Sequence, residues 1–155
     1  MAIKVFCFGN TEKGLYTELL KEYHQRIVKY TSFSWEELSA AKQKKSSEKW
    51  LDKEADLLLK RIRPNDHLCL LDEGGKQFSS RGFAAWLNEE QNQLSADLVF
   101  VIGSAYGFSS ALKERANSKI SLSKLTFNHQ MVRGIFAEQL YRALNINNGG
   151  NYHND

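Results

Sequence analysis

The chain has 155 residues, of which 42% are hydrophobic and 25% charged, with a formal net charge of +3. Its length and apolar content favour one compact domain over residues 1–155. The charge is too small for a protein that holds nucleic acid by phosphate contacts alone. No run of eighteen apolar residues and no secretory signal pattern is present, so we expect no membrane partner and a cytoplasmic location.

Strand-like and helical patterns alternate along the first two thirds of the chain. The predicted elements are a strand at 3–8, a turn at 9–11, a helix at 12–28, a strand at 31–38, an exposed lysine-rich loop at 40–45, a helix at 46–62, a strand at 67–72, a helix at 79–92 and a strand at 98–102. The first helix places Leu15, Leu19, Tyr23 and Ile27 on one face. This alternation predicts an α/β protein with a mainly parallel sheet and helices on both faces.

The two cysteines, Cys7 and Cys69, both lie in apolar strand-like runs. We predict two buried free thiols there, and neither a disulfide nor a metal site.

A glycine-bracketed turn follows the last of these strands, in the run VFVIGSAYGFS at residues 99–109. A second short strand and a polar loop then lead into a helix at 129–144. This arrangement is how α/β proteins form a ligand crevice at the carboxyl ends of strands. The turn lacks the spacing of a dinucleotide-binding motif, and residues 9–16 lack the Lys and Ser/Thr of a P-loop, so the residues alone predict a small-ligand site of unspecified chemistry.

Several separated motifs closely resemble those of the RlmH family, which are SPOUT-class methyltransferases. The motifs are IKVFCFG at 3–9, LLDEGGKQFSS at 70–80, VFVIGSAYGFS at 99–109, SLSKLTFNHQMVR at 121–133, EQLYRA at 138–143 and the final Tyr152-His153. The resemblance covers essentially the whole chain. It implies a SPOUT-type α/β knot, in which the C-terminal segment is tied as a trefoil knot.

The resemblance also implies an activity, a cofactor and partners. The expected reaction transfers a methyl group from S-adenosylmethionine to N3 of a pseudouridine in 23S ribosomal RNA of assembled ribosomes, without a metal. The expected assembly is a homodimer in which each active site is completed by the partner's tail. Matching motifs residue by residue gives the expected cofactor-binding residues: Leu71, Gly103, Ser104, Lys124, Leu125, Thr126, Phe127, Asn128 and His129.

Four residues near the C-terminus are the expected catalytic or RNA-facing groups. His153 is the candidate base for the substrate proton, because imidazole titrates near neutral pH. Arg142 and Arg133 are alternative cations for the developing negative charge, and Glu138 is expected to orient Arg142. The broad apolar face of the last helix, which includes Gly134, is consistent either with a dimer interface or with core packing alone.

Three positions depart from the commoner family pattern. Ser104 stands where a second glycine is frequent, Gly74 where arginine is frequent, and Asn128 where proline is frequent. We expect Ser104 either to narrow the pocket or to add a hydroxyl contact, and Asn128 to cap the final helix. These departures keep open a non-catalytic RNA- or ribosome-binding protein. A SPOUT methyltransferase acting on transfer RNA or another ribosomal nucleotide, and a general nucleotide-binding α/β protein, also remain open.

Overall fold

The computed structural model describes residues 1–39 and 48–155. Strands and helices alternate through both ranges. They are β1 (Ile3–Phe8), α1 (Leu15–Ile27), β2 (Phe33–Leu38), α2 (Glu48–Leu59), β3 (His67–Gln77), α3 (Ser80–Gln93), β4 (Leu98–Ile102), α4 (Ser110–Arg115), β5 (Ser118–Ser121) and α5 (Met131–Asn147). The loop predicted at 40–45, with its three lysines, lies outside the described residues, as does the predicted start of the second helix.

The strands form one sheet in the order β2-β1-β4-β3-β5, and every pairing between them is parallel. Strand β4 is central, and all five of its residues are buried, as the continuous apolar run predicted. Because the strands are parallel, the carboxyl ends of β3, β4 and β5 lie at the same edge of the sheet.

Two apolar layers cover the two faces of the sheet. On one face, α1, α3 and α5 pack against β1 and β4, with Phe100 and Phe136 at a ring-centroid distance of 4.9 Å. On the other face, α2 and α4 supply Leu58 and Leu112 against Phe6 and the opposite side of β4. The prediction of helices on both faces is confirmed. The trefoil knot stays a prediction.

Strand β3 runs five residues past its predicted end at 72. Its pairing with β5 shifts register between Leu71 and Lys76 and then resumes. A Cβ at Gly75 would lie 2.6 Å from backbone atoms of Ile120. Strands β3 and β5 therefore approach each other too closely at this point for any residue except glycine. The sequence pattern missed this extension because its residues are polar and glycine-rich.

Helix α1 carries its predicted face, but only the C-terminal end of that face is fully buried. Ile27 is fully enclosed, whereas Leu15 is 77% exposed. Leu19 rests on α5, where its Cδ2 would lie 2.3 Å from a Cβ at Gly134. The close neighbour that Gly134 accommodates is therefore a helix of the same chain.

The short helix α4 was not predicted. Its first turn is capped by the Ser109 hydroxyl, which accepts a hydrogen bond from the Leu112 amide at 3.2 Å. Both cysteines are buried and free, as predicted, and burial raises the pKa of each thiol to about 12. Among the described residues, no helix is both long and apolar enough to cross a membrane.

Candidate cofactor site

A cavity of about 490 Å³ opens at the carboxyl ends of β3, β4 and β5. Ligands of open α/β sheets bind at this edge. Its walls come from the strand ends, from loop 103–107 and from the segment that leads into α5. The lining residues are Leu71, Asp72, Glu73, Ile102, Gly103, Ser104, Ala105, Gly107, Phe108, Ile120, Ser121, Leu122, Ser123, Leu125, Thr126, Phe127, Asn128, His129 and Val132.

Loop 103–107 forms a tight turn beside the cavity. The Gly107 amide donates to the Ser104 carbonyl at 3.1 Å, and Gly107 has a φ of 81°, which favours glycine. Gly103 does not have a positive φ, so backbone conformation does not explain why glycine stands at this position. A Cβ at Gly103 would instead lie 3.1 Å from the ring of Phe108 and 3.2 Å from the Gly107 carbonyl.

The opposite wall is held by short-range hydrogen bonds. The Ser123 hydroxyl accepts from the Leu125 amide at 2.9 Å, and the Asn128 Oδ1 accepts from the Gln130 amide at 2.8 Å. A weaker bond joins the Met131 amide to the same Asn128 oxygen, at 3.4 Å. Asn128 therefore bonds the amides of the turn that leads into α5, but the N-cap residue of the helix is Gln130, whose side chain makes no capping bond. The prediction that Asn128 is the N-cap is wrong in position by two residues.

A hydrogen bond joins the two sides of the cavity mouth. The Thr126 hydroxyl donates to Glu73 Oε1 at 2.9 Å, linking the wall before α5 to the extension of β3. Asp72 accepts from the Gly74 amide at 2.8 Å. Two carboxylates therefore lie at the cavity, and none of the described residues that line it is Lys or Arg.

Most of the predicted cofactor residues meet in this cavity. Lys124 does not line it and is exposed. The sequence reasoning missed Asp72 and Glu73, although the quoted middle motif contains both. It also missed Phe108, whose ring explains Gly103. The predicted residues that line the cavity are Leu71, Gly103, Ser104, Leu125, Thr126, Phe127, Asn128 and His129.

Glu138, Arg142 and His153 form a second cluster, at the C-terminal half of α5 and the tail. Arg142 Nε donates to Glu138 Oε1 at 3.1 Å, and Arg142 Nη2 forms an ion pair with the same oxygen. Arg142 Nη1 lies 3.2 Å from His153 Nδ1. The guanidinium also stacks over the ring of Tyr152, 4.7 Å from its centroid.

The tail is fixed by further polar contacts. The Tyr152 hydroxyl donates to Glu138 Oε1 at 3.1 Å and lies 3.2 Å from the hydroxyl of Tyr23 on α1. Burial and these neighbours raise the pKa of Tyr152. His153 Nε2 lies 2.9 Å from Asp155, and Arg81 beside that carboxylate lowers its pKa to about 2. None of Glu138, Arg142 and His153 lines the cavity of its own chain.

Arg133 does not hold the RNA-facing position that was expected of it. Its side chain is 1% exposed, on the first turn of α5. The guanidinium donates to the carbonyls of Phe8 (3.1 Å) and Gly9 (3.0 Å) and to the Thr11 hydroxyl (2.8 Å). Its Nε also donates to the His129 carbonyl at 3.3 Å. Arg133 therefore satisfies buried backbone groups at the end of β1, which sequence spacing alone does not reveal.

In the ranges 1–39 and 48–155, no group of three or more His, Cys, Asp or Glu side chains is arranged to hold a metal ion.

Comparison with known proteins identifies the family. The model of the family described as "Predicted SPOUT methyltransferase" matches residues 1–153. The ribosomal RNA large subunit methyltransferase H of Parabacteroides distasonis is 43% identical, with 100% of each chain covered. The protein of that name from Christiangramia forsetii is 44% identical, with 99% of each chain covered.

The fold has relatives among solved structures. A crystal structure described as a "Probable Methyltransferase" from Bordetella pertussis Tohama I aligns with a TM-score of 0.54 at 10% identity, covering 92% of this chain and 93% of that one. Such a low identity shows the shared fold alone. The family match and the full-length identities carry the assignment: the chain belongs to the SPOUT methyltransferases and, among them, to the RlmH family.

Proposed function

We propose that this protein uses S-adenosylmethionine to methylate N3 of a pseudouridine in 23S ribosomal RNA of assembled ribosomes. The observation that carries the proposal is the cavity at the carboxyl ends of β3, β4 and β5, in a chain whose full-length relatives are named large-subunit ribosomal RNA methyltransferases. The family establishes that the protein is a methyltransferase. We propose in addition that N3 of a pseudouridine is the atom that it methylates.

The chemistry of the cavity fits S-adenosylmethionine better than a phosphate-bearing ligand. Asp72 and Glu73 are its acidic groups, and no lysine or arginine from the described ranges lines it. A phosphate would lack the cationic side chains that usually bind it. A ligand with a sulfonium and an ammonium group gains from nearby carboxylates. This contrast argues against the general nucleotide-binding alternative.

The apolar part of the cavity fits the remainder of the cofactor. Leu71, Ile102, Leu122 and Val132 provide an apolar slot for a nucleoside ring, while the backbone of loops 103–107 and 121–129 offers polar groups. Gly103 keeps this wall thin, because any Cβ there would press on Phe108. When bound, S-adenosylmethionine supplies a methyl group already activated by its sulfonium, so the protein need not supply a nucleophile.

The protein's residues must orient the acceptor and remove one proton. N3 of pseudouridine is an imide nitrogen that carries a proton near pH 7, so attack requires a base or a nearby cation. We assign the proton to His153, whose Nδ1 accepts from Arg142 while Nε2–H donates to Asp155 in the free chain. Rotation of Arg142 toward the substrate frees Nδ1 and brings a cation to the developing negative oxygen. Glu138 orients that guanidinium.

We further propose a homodimer in which the tail cluster of one protomer completes the cavity of its partner. Glu138, Arg142 and His153 lie outside the cavity of their own chain, which supports a site that a second copy completes. The first half of α1 and the start of α5 leave Leu15, Leu19 and Met131 exposed. A second copy would cover such apolar side chains.

A net charge of +3 is too small to hold RNA by phosphate contacts alone, so we propose that the shape of the assembled ribosome contributes to recognition of the substrate. A large, preformed RNA surface allows many weak contacts, and a cytoplasmic location follows from such a substrate.

The test is transfer of a labelled methyl group from S-adenosylmethionine to undermethylated assembled ribosomes, free large-subunit RNA and transfer RNA. The product nucleoside is identified by mass spectrometry. We expect N3-methylpseudouridine on ribosomes alone. Label on transfer RNA would keep the enzyme class and overturn the substrate. Cofactor binding without transfer to any of the three would overturn the catalytic proposal and favour a non-catalytic RNA-binding protein.

A further inference from the structure

Glu54 is a buried carboxyl group on α2, on the opposite face of the sheet from α5. The residue is 4% exposed. It lies on α2 next to Ala55 and one turn before Leu58, which both belong to the apolar cluster on this face of the sheet. A carboxyl group in such surroundings is costly to ionise. Burial accordingly raises the pKa of Glu54, while hydrogen bonds from Ser104 and Trp50 oppose that rise.

One of these partners belongs to the cofactor cavity. The Ser104 hydroxyl donates to Glu54 Oε2 at 3.2 Å, and Ser104 lines the cavity. The hydroxyl contact expected of Ser104 is therefore made to Glu54 of the protein itself. In the described part of the chain, it is the one side-chain hydrogen bond that ties loop 103–107 to another element.

The rest of that loop has little to hold it. Ala105 and Tyr106 are exposed, and the Gly107 amide closes the turn by donating to the Ser104 carbonyl. Within residues 1–39 and 48–155, no Lys, Arg or His contributes to the electrostatics of Glu54, and the groups that act on its carboxyl group are Ser104 and Trp50. The hydrogen bond from Ser104 suits an anchor for the loop.

We infer that Glu54 is a positioning residue, which fixes Ser104 and thereby holds loop 103–107 in the shape that binds the cofactor. This inference rests on the proposed function, since it assigns a role at the same cavity. A loop fixed in its binding shape loses less entropy when a ligand binds, so the anchor acts on cofactor affinity. It acts through Ser104 and touches no reacting atom.

The experiment measures S-adenosylmethionine binding by calorimetry for Glu54→Leu, Ser104→Ala and the double variant. A hydrogen bond to a charged or buried acceptor corresponds to roughly a tenfold change in Kd. We expect each single variant to bind roughly tenfold more weakly and the double variant no more weakly than either. For Glu54→Leu, whose side chain does not line the cavity, we expect kcat at saturating cofactor to change by less than about twofold.

Two further variants separate positioning from a purely structural role. Glu54→Gln keeps an oxygen that accepts from Ser104, so it should restore Kd to within about twofold of the original chain. Asp52→Asn changes an exposed acid on the same helix and should leave Kd unchanged. If Glu54→Leu does not fold, Ser104→Ala still tests the anchor by itself.

The proposal is overturned if folded Glu54→Leu or Ser104→Ala binds as tightly as the original chain, or if the two effects simply add. Failure of the original chain to bind S-adenosylmethionine would instead overturn the proposed function. The two failures are therefore distinguishable in one binding series.

Discussion

The cofactor cavity and the tail cluster are built from different parts of the polypeptide. The cavity is shaped by backbone turns and apolar side chains, with Gly103 and Gly107 setting the course of one wall. The tail cluster is a network of charged and phenolic groups around Arg142. Under the proposed function, the first region would select the cofactor mainly by shape, whereas the second would act on the substrate through individual charges.

Arg142→Ala should have the largest effect on turnover. Removing the cation that faces the developing oxygen should lower methyl transfer roughly 10²- to 10³-fold, the usual loss for one such donor. Cofactor Kd should change by less than about twofold, since the role proposed for Arg142 is at the substrate oxygen and not at the cofactor. Single-turnover methylation and calorimetry measure the two quantities. Equal losses of rate and affinity would contradict the separation of the regions.

Arg133→Met should act on folding instead. Methionine cannot donate a hydrogen bond, so the carbonyls of Phe8 and Gly9 lose their bonds from Arg133. We expect the free energy of unfolding to fall by about 2–4 kcal/mol. Denaturant unfolding measures the loss. Arg61→Met, at an exposed ion pair with Glu36, is the matched control and should cost less than about 0.5 kcal/mol. Loss of turnover with unchanged stability would restore Arg133 as a substrate-facing residue.

His153→Gln should slow the reaction about 10- to 100-fold, because the glutamine amide retains hydrogen bonding but cannot accept the substrate proton. The measurement is single-turnover methylation on saturating ribosomes. Asn154→Ala, at the neighbouring exposed position, is the control. An undiminished rate in His153→Gln would remove His153 as the base.

Gly103→Ala should have the smallest effect of the four, and it should fall on affinity. The new methyl group would press on the Phe108 ring and the Gly107 carbonyl, at 3.1–3.2 Å. We expect cofactor Kd to rise roughly three- to tenfold, with little change in kcat at saturation. Unchanged affinity would show that this wall yields more easily than its packing indicates.

The strands and the loops of the cavity could be predicted from the sequence, whereas contacts between distant segments could not. Periodicity found the four longer strands, most clearly β4, because an apolar run such as 98–102 is typical of a buried strand. Family resemblance located eight of the nineteen residues that line the cavity, most of them in loops 103–107 and 121–129, which are continuous in sequence. Neither could place Arg133, because whether an arginine faces solvent or backbone carbonyls depends on where β1 ends relative to α5.

Contacts between distant segments were equally hidden. The Ser104–Glu54 bond joins residues fifty positions apart, on elements whose proximity only the sheet order creates.

Mixed dimers test the central claim most directly. One protomer carries Gly103→Leu, chosen to block the cavity, and the other carries Arg142→Ala. Each homodimer should be nearly inactive. If the tail of one protomer completes the cavity of the other, the mixed dimer contains one intact site and should recover about half of the original activity per dimer. A mixed dimer as inactive as its parents would contradict the account and place both regions of each site in a single chain.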